Sequence, residues 1–305
     1  MELSNKTIKV VCFGEILFDV FGNEKKVGGA PLNLALRMNS LGFPTAMISA
    51  VGKDEDGEIL KNYISENGVD NSSIITTPNY DTGLVLVHVD ERGSAKYDIK
   101  FPSAWDFIES NENIRKIVSE ASVFFFGSLA CRNEVSKNTL YDLLQLNKNI
   151  YKVFDVNLRP PYSKMDVIEN LMNISDFIKF NDEEIIEISS KLGLNSKNLE
   201  ENILFISEKT STKSICVTRG KHGAIMLWKG EFYYSDGFTV NVVDTVGAGD
   251  SFLAALLASL SVNKTPLEAL DFASAIGGIV ASNEGANPKI SDEDVKKLLS
   301  QRKKA

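Results

Sequence analysis

The stretch Asp244-Thr245-Val246-Gly247-Ala248-Gly249-Asp250-Ser251-Phe252 sets a carboxylate beside two glycines and an alanine. An apolar run, Phe238 to Val243, precedes it, and Ala254-Ala255-Leu256-Leu257-Ala258-Ser259-Leu260 after it reads as a buried helix. The small residues therefore fall where a strand or loop becomes a helix N-terminus. N–H groups without intrahelical partners and the positive end of the helix dipole gather there. Such a place suits an anion, phosphate above all, and small side chains let the backbone approach its oxygens. Asp250 would repel that anion unless it has a task. Accepting a proton from an alcohol that attacks phosphorus is one such task. Partnering the helix dipole in the first turn is another, and this segment leaves both open.

Further polar groups stand at similar places. Gly28-Gly29-Ala30-Pro31-Leu32-Asn33 opens a helix that Gly42 closes, so backbone is exposed at its start. Asn33 is polar on an otherwise apolar turn. It either caps the helix, the preferred reading from the segment alone, or offers donor and acceptor to a ligand. Asp19 is either a surface charge or an acceptor for two sugar hydroxyls at once. Polar residues crowd the end of the apolar run in Lys152-Val153-Phe154-Asp155-Val156-Asn157-Leu158-Arg159-Pro160-Pro161. That is where α/β sheets place their ligands. Phe177-Ile178-Lys179-Phe180 repeats the pattern and leads into Asn181-Asp182-Glu183-Glu184. Three acids there satisfy a helix dipole, while Asn181 and Glu184 could share a hydrated Mg²⁺. Ser214-Ile215-Cys216-Val217 ends in the glycine-containing loop Thr218-Arg219-Gly220-Lys221-His222-Gly223.

The elements that must position these groups alternate. Val10-Val11-Cys12-Phe13, Ala46 to Gly52 and Val123-Phe124-Phe125-Phe126-Gly127 read as strands, the last apolar throughout as a central parallel strand should be. Gly14 to Phe21 reads as a strand wet on one face. Asp56 to Ile64 has helical spacing, with Ile59, Leu60, Tyr63 and Ile64 on one face. Another helix is expected from about Lys137 to Leu146. Alternation of this kind predicts a parallel α/β sheet. Leu84 to Val89 and Ala95 to Phe101, flanking Asp90-Glu91-Arg92-Gly93-Ser94, read as an inserted β-hairpin with one wet and one buried face. It is a lid or dimer surface, or else an edge ribbon. Ala224 to Trp228 and Glu231 to Tyr234 form a second hairpin. Thr265-Pro266-Leu267-Glu268 is a capped helix start. Ala273, Ala275, Gly277 and Gly278 on that helix permit close packing against a neighbour or a flat ring.

The totals narrow the function classes. With 305 residues, 43% of them apolar, the chain suits one large domain or one with an appendage. Net charge is −8, and no long basic run suggests a nucleic-acid surface. The basic end, Gln301-Arg302-Lys303-Lys304-Ala305, reads as solvated. Neither a signal peptide nor a membrane-spanning run is expected. Cys12, Cys131 and Cys216 read as buried thiols of a cytoplasmic protein. His88 and His222 are the only histidines, too few for a histidine-rich metal site.

Together, the Gly28–Gly42 stretch and Asp244 to Phe252 resemble the two signatures of the ribokinase-like (phosphofructokinase-B) sugar kinases, and the resemblance spans nearly the whole chain. Gly28-Gly29-Ala30-Pro31, Ala104-Trp105-Asp106 and Asp155-Val156-Asn157-Leu158-Arg159-Pro160 are most similar to fructokinases; Pro161-Tyr162 departs from the Leu-Trp often seen in that subgroup. The resemblance implies an α/β three-layer sandwich with a mostly parallel sheet and a small β-sheet lid. It implies one kinase domain over 1–305, with lid strands inserted at about 15–27 and 82–102. The implied reaction moves the γ-phosphoryl of ATP to a sugar hydroxymethyl group, D-fructose to fructose 6-phosphate first. A 2-keto-3-deoxygluconate kinase, a kinase of another sugar, and a sugar and nucleotide sensor without turnover are the alternatives. Asp250 would be the base, Gly247, Ala248, Gly249 and Asp250 the anion hole, and Arg159 added positive charge. Asp19, Gly28, Gly29 and Asn33 would grip the sugar. Thr218, Gly220, Gly223 and Asn283 would meet the nucleotide. Asn181 and Glu184 would hold Mg²⁺ through water. Asp244, Ala281 and Gly285 match the region where many members bind a monovalent cation such as K⁺. A homodimer formed through the lid hairpin is expected.

Overall fold

Short runs of valine, isoleucine and phenylalanine become strands because β-branched and aromatic side chains pack well on a pleated, covered surface. The computed structural model describes residues 8–89 and 95–301. Its contacts divide the chain into two compact units, one holding residues 9–124 and 130–150 and the other 1–8, 125–129 and 151–305.

In the first of these units come β1 (Val10–Phe13), β2 (Leu17–Phe21), β3 (Glu24–Gly28), α1 (Ala30–Ser40) and β4 (Thr45–Gly52). Next are α2 (Glu55–Glu66), β5 (Ile74–Thr77), β6 (Gly83–Val89), β7 (Ala95–Ile99), a short 3₁₀ turn at Ala104–Phe107 and α3 (Glu112–Glu120). The strand β8 (Val123–Gly127) has residues in each unit, and α4 (Glu134–Leu146) completes the first. β1, β4 and β5 pair in parallel. β2, β3, β6 and β7 form a separate four-stranded sheet, whose packed face is Leu17, Val85 and Val87 with Phe21 and Ile99 against them. The inserted hairpin is thus present, with β6 and β7 antiparallel; its turn, 90–94, lies outside the described residues, as does the tail 302–305.

The second unit continues with β9 (Tyr151–Asp155), α5 (Met165–Asn173), β10 (Phe177–Asn181), α6 (Asp182–Lys191), α7 (Leu199–Thr210) and β11 (Ser214–Thr218). The hairpin β12 (Ala224–Trp228) and β13 (Glu231–Ser235) follows, then α8 (Ala248–Ser261), α9 (Pro266–Ala281) and α10 (Asp292–Ser300). The large sheet has nine strands in the order β13-β12-β11-β10-β9-β8-β1-β4-β5. β9, β10 and β11 run parallel, and β12 and β13 are antiparallel additions at the edge. The expected α/β architecture, a mostly parallel sheet with a separate small one, is present. α8 is buried almost throughout, as an unbroken run of alanine and leucine dictates. α9 begins with the expected cap: Glu268 N donates to Thr265 Oγ1 at 3.3 Å, and Thr265 N donates to Glu268 Oε2 at 3.0 Å.

Four local expectations change. Ile59 is 45% exposed while Leu60 and Ile64 are buried, because neighbouring helix positions point about 100° apart and one stripe cannot centre both. Glu15 is buried at 3%: it lies before β2 rather than on a wet strand face. Tyr97 and Phe101 are about half exposed, so the buried side of the hairpin is confined to Ile99 and its neighbours. Gly29, not Asn33, occupies the N-cap position of α1, and Asn33 is buried one turn into the helix.

Candidate active site

The parallel strands of the second unit deliver four polar groups to one end. Register pairs Asp155 on β9 with Lys179 on β10, and Asn181 on β10 with Thr218 on β11. These are the carboxyl ends of the strands, where open α/β sheets hold ligands.

Asn181 caps α6, with its Oδ1 accepting from Glu184 N at 2.8 Å. Glu184 answers through Oε2, which accepts from Asn181 N at 2.8 Å, and its Oε1 accepts from Leu158 N at 2.9 Å. The carboxylate is thereby buried and fixed, and it ties the loop after β9 to the start of α6. Arg159, next on that loop, is exposed; its Nη1 donates to Leu158 O at 2.9 Å and its backbone N to Ser163 Oγ at 2.8 Å.

The helix start that carries Asp250 is shaped by Gly247. Gly247 has φ 74° and is the N-cap of α8. A side chain there would be strained, and its Cβ would lie 2.5 Å from Ala286 Cβ. Asp250 sits in the first turn and is half-buried. The first intrahelical bond runs from Ser251 N to Gly247 O at 2.9 Å, so the N–H groups of Gly249 and Asp250 precede the helical ladder. A cavity of about 550 Å³ opens on this turn. Thr218 borders it from the end of β11, Gly220 and Gly223 from the loop that follows, Thr245, Ala248 and Gly249 from the α8 start, and Gly277 and Gly278 from α9. The two α9 glycines thus face a space, whereas Ala273 and Ala275 belong to the core. Asn283 does not line the cavity; its Nδ2 donates to Ile279 O at 2.8 Å and finishes α9.

Asp244 folds back over the same region. Its Oδ1 accepts from Val246 N at 3.0 Å and its Oδ2 from Gly285 N at 3.2 Å. Ala281 O accepts from Val243 N at 2.9 Å and Asp244 N at 3.2 Å. Asp244, Ala281 and Gly285 are therefore brought together.

Lys179 is the group that sequence reasoning passed over. It is buried, and its Nζ lies 3.0 Å and 3.3 Å from the two Asp155 oxygens. Burial alone would push its ammonium down; Asp155, Glu184 and Asp250 more than offset that and hold it above its ordinary value. The signal was a lysine inside an otherwise apolar strand. Lys221 and His222 also border the cavity, and both are exposed. Among the described residues no group of three acids, histidines or cysteines is arranged to hold a metal.

The remaining candidates lie in the first unit. Gly29 has φ 111° and opens α1, and Asn33 N donates to Gly29 O at 2.9 Å. Asp19 on β2 leans over Gly28, where its Oδ2 fills the space a Cβ would need. Asp19, Gly28, Gly29 and Asn33 thus follow one another along a β-hairpin and the helix it feeds.

Comparison with known proteins agrees with this architecture. The pfkB family carbohydrate kinase description matches residues 3–293. An Arabidopsis thaliana protein named "Probable fructokinase-7" is 31% identical, over 95% of this chain and 92% of its own. A Xylella fastidiosa fructokinase crystallised with ATP superposes with TM-score 0.84 at 20% identity, covering 98% of this chain and 100% of its own. A fructokinase double mutant from Vibrio cholerae O395, in a form with fructose, ADP and potassium ion, gives TM-score 0.84 at 24% identity, over 97% and 100%.

Proposed function

The chain belongs to the pfkB family of carbohydrate kinases, and on that premise we propose that it phosphorylates D-fructose to fructose 6-phosphate with ATP. The observation that carries the reading is the place of Asp250: it stands on the turn whose neighbours Ala248 and Gly249 border the 550 Å³ cavity. The nucleotide would occupy that cavity, its phosphates against Thr218, Gly220, Gly223 and the α8 start. Asp250 would take the proton from the sugar's hydroxymethyl group as its oxygen attacks the γ-phosphorus.

Charge spreads over the transferring phosphoryl in a loose transition state. Fixed N–H dipoles at Gly247, Ala248, Gly249 and Asp250 would offset it with little reorganisation. Arg159 would add positive charge there; it follows β9 closely enough to act on Asp155. Asn181 and Glu184 would hold Mg²⁺. Both Glu184 oxygens already accept backbone N–H bonds, so the pair fits a hydrated ion held through water. An Mg²⁺ held there would supply positive charge to offset that of the nucleotide's phosphates. Asp244, with the backbone of Ala281 and Gly285, would hold a monovalent cation, a reading supported by the potassium-bound Vibrio cholerae relative.

Asp19, Gly28, Gly29 and Asn33 would bind the sugar, the carboxylate accepting from two hydroxyls and the amide serving as donor and acceptor. Fructose is favoured by the names of the relatives, one of which was crystallised with fructose. A coupled assay of ADP release over a panel of simple sugars tests the assignment. Fructose should give the highest kcat/KM, and a better substrate such as 2-keto-3-deoxygluconate would replace it. Half-exposed Tyr97 on the small sheet and Phe101 just beyond it support a homodimer formed there; a monomer by light scattering would refute it.

A further inference from the structure

Lys179 and Asp155 form an ion pair whose side chains are 8% and 10% exposed. Such a pair is a poor way to stabilise a fold, because apolar residues of similar size commonly serve as well or better. Its position suggests another use. A Cβ built on Gly249 would lie 3.3 Å from Lys179 Nζ, so the ammonium stands directly behind the turn that carries Asp250. The groups acting on this ammonium are Asp155 from β9, Glu184 from α6 and Asp250 from α8. Arg159, after β9, acts on Asp155. Lys179 also acts on Cys216 of β11, and burial keeps that group a neutral thiol.

We infer that Lys179 is a positioning residue for phosphoryl transfer, its buried charge, pinned by Asp155, holding Asp250 as the carboxylate that accepts the sugar's proton. The inference rests on the kinase reading. Against burial, Asp155 holds the Lys179 ammonium above its ordinary value, while burial raises the Asp155 carboxyl, so the Asp155→Asn variant is the one whose acid limb reports Asp250 free of Asp155. Removing a nearby cation makes a carboxylate easier to protonate, and removing a nearby anion makes it harder. The two members of the pair must therefore move Asp250 in opposite directions.

The experiment measures kcat/KM for the sugar against pH at saturating ATP, in wild type, Lys179→Met and Asp155→Asn. The acid limb should move to higher pH in Lys179→Met and to lower pH in Asp155→Asn, each by about half a unit or more. General damage to the fold would lower the plateau in both variants without opposite displacements. Limbs that stay in place, or move the same way in both, overturn the inference. Should one variant fail to fold, the sign of the other decides: an unmoved or reversed limb overturns it. A wild-type chain that releases no ADP with any sugar removes the kinase reading and this inference with it. An active wild type with unmoved limbs in the variants removes the inference alone.

Discussion

Asn181 and Glu184 hold each other by two reciprocal hydrogen bonds of 2.8 Å, and Glu184 reaches Leu158 N with its other oxygen. One carboxylate therefore completes the capping box of α6 and ties down the loop that carries Arg159, and on the proposed reading it would also offer negative charge toward the nucleotide's Mg²⁺. Substitution tests these tasks. Glu184→Gln keeps an acceptor and loses the charge. Its amide nitrogen must face one of the two backbone N–H groups that Glu184 now accepts from, so it should cost about 1 kcal/mol of stability and raise the Mg²⁺ concentration needed for half-maximal ADP release by about tenfold or more. Glu184→Ala should do the same to Mg²⁺ dependence and also cost ~1 kcal/mol of stability through the lost cap. Unchanged Mg²⁺ dependence in both variants would leave Glu184 a structural residue only.

The cavity proposed for the nucleotide makes a second prediction through α9. A Cβ on Gly278 would meet Leu298, Val240 and Phe238 at ordinary contact distances of 3.5–3.9 Å, so the backbone tolerates a side chain. A longer one would enter the cavity. Gly278→Leu should raise KM for ATP by about tenfold or more, an apolar group filling the space the base would take, with KM for the sugar nearly unchanged. An unaltered KM for ATP would place the nucleotide elsewhere.

The capped helix at Thr265, the apolar strand Val123–Gly127 and the Asp250 turn could all be read from the chain, because each is local chemistry. Apolar runs set the strands, and a threonine, a proline and a glutamate at fixed spacing set the cap. What could not be read depended on register. A lysine in Phe177-Ile178-Lys179-Phe180 announces a buried charge. Only the pairing of β9 with β10 shows that Asp155 is its partner, and only the packing of α8 places Gly249 against it. Asn33 misled for a related reason. Caps are local, but Gly29 had already taken the cap position, and the asparagine is carried one turn into the helix. Asn283, expected near the nucleotide, bonds Ile279 O and finishes α9. Backbone carbonyls left over at a helix end compete for such side chains.

Stability away from the site should depend on Asp54. Its Oδ1 accepts from Gly57 N at 2.7 Å and from Thr82 Oγ1 at 2.6 Å, and its Oδ2 accepts from Thr82 N at 2.8 Å. Burial raises this carboxyl, but the bonds from Thr82 and Gly57, with Lys25 nearby, outweigh it and hold Asp54 below its ordinary value. A depressed folded value means the stabilisation is present above the unfolded pKa, near pH 4, and fades as pH falls through the folded one. Asp54→Ala should therefore cost about 1–2 kcal/mol at neutral pH, and its melting temperature should converge on wild type below about pH 4. A gap that stays constant down to pH 2 would contradict the assignment.

The central claim is that Asp250, on the first turn of α8, is the base of a sugar kinase. Its most direct test is the turnover of Asp250→Ala beside wild type, with ATP binding followed by titration in the same samples. The account predicts wild-type ATP affinity and a kcat lower by at least ~10²-fold. A variant that binds ATP and turns over sugar at the wild-type rate would contradict it.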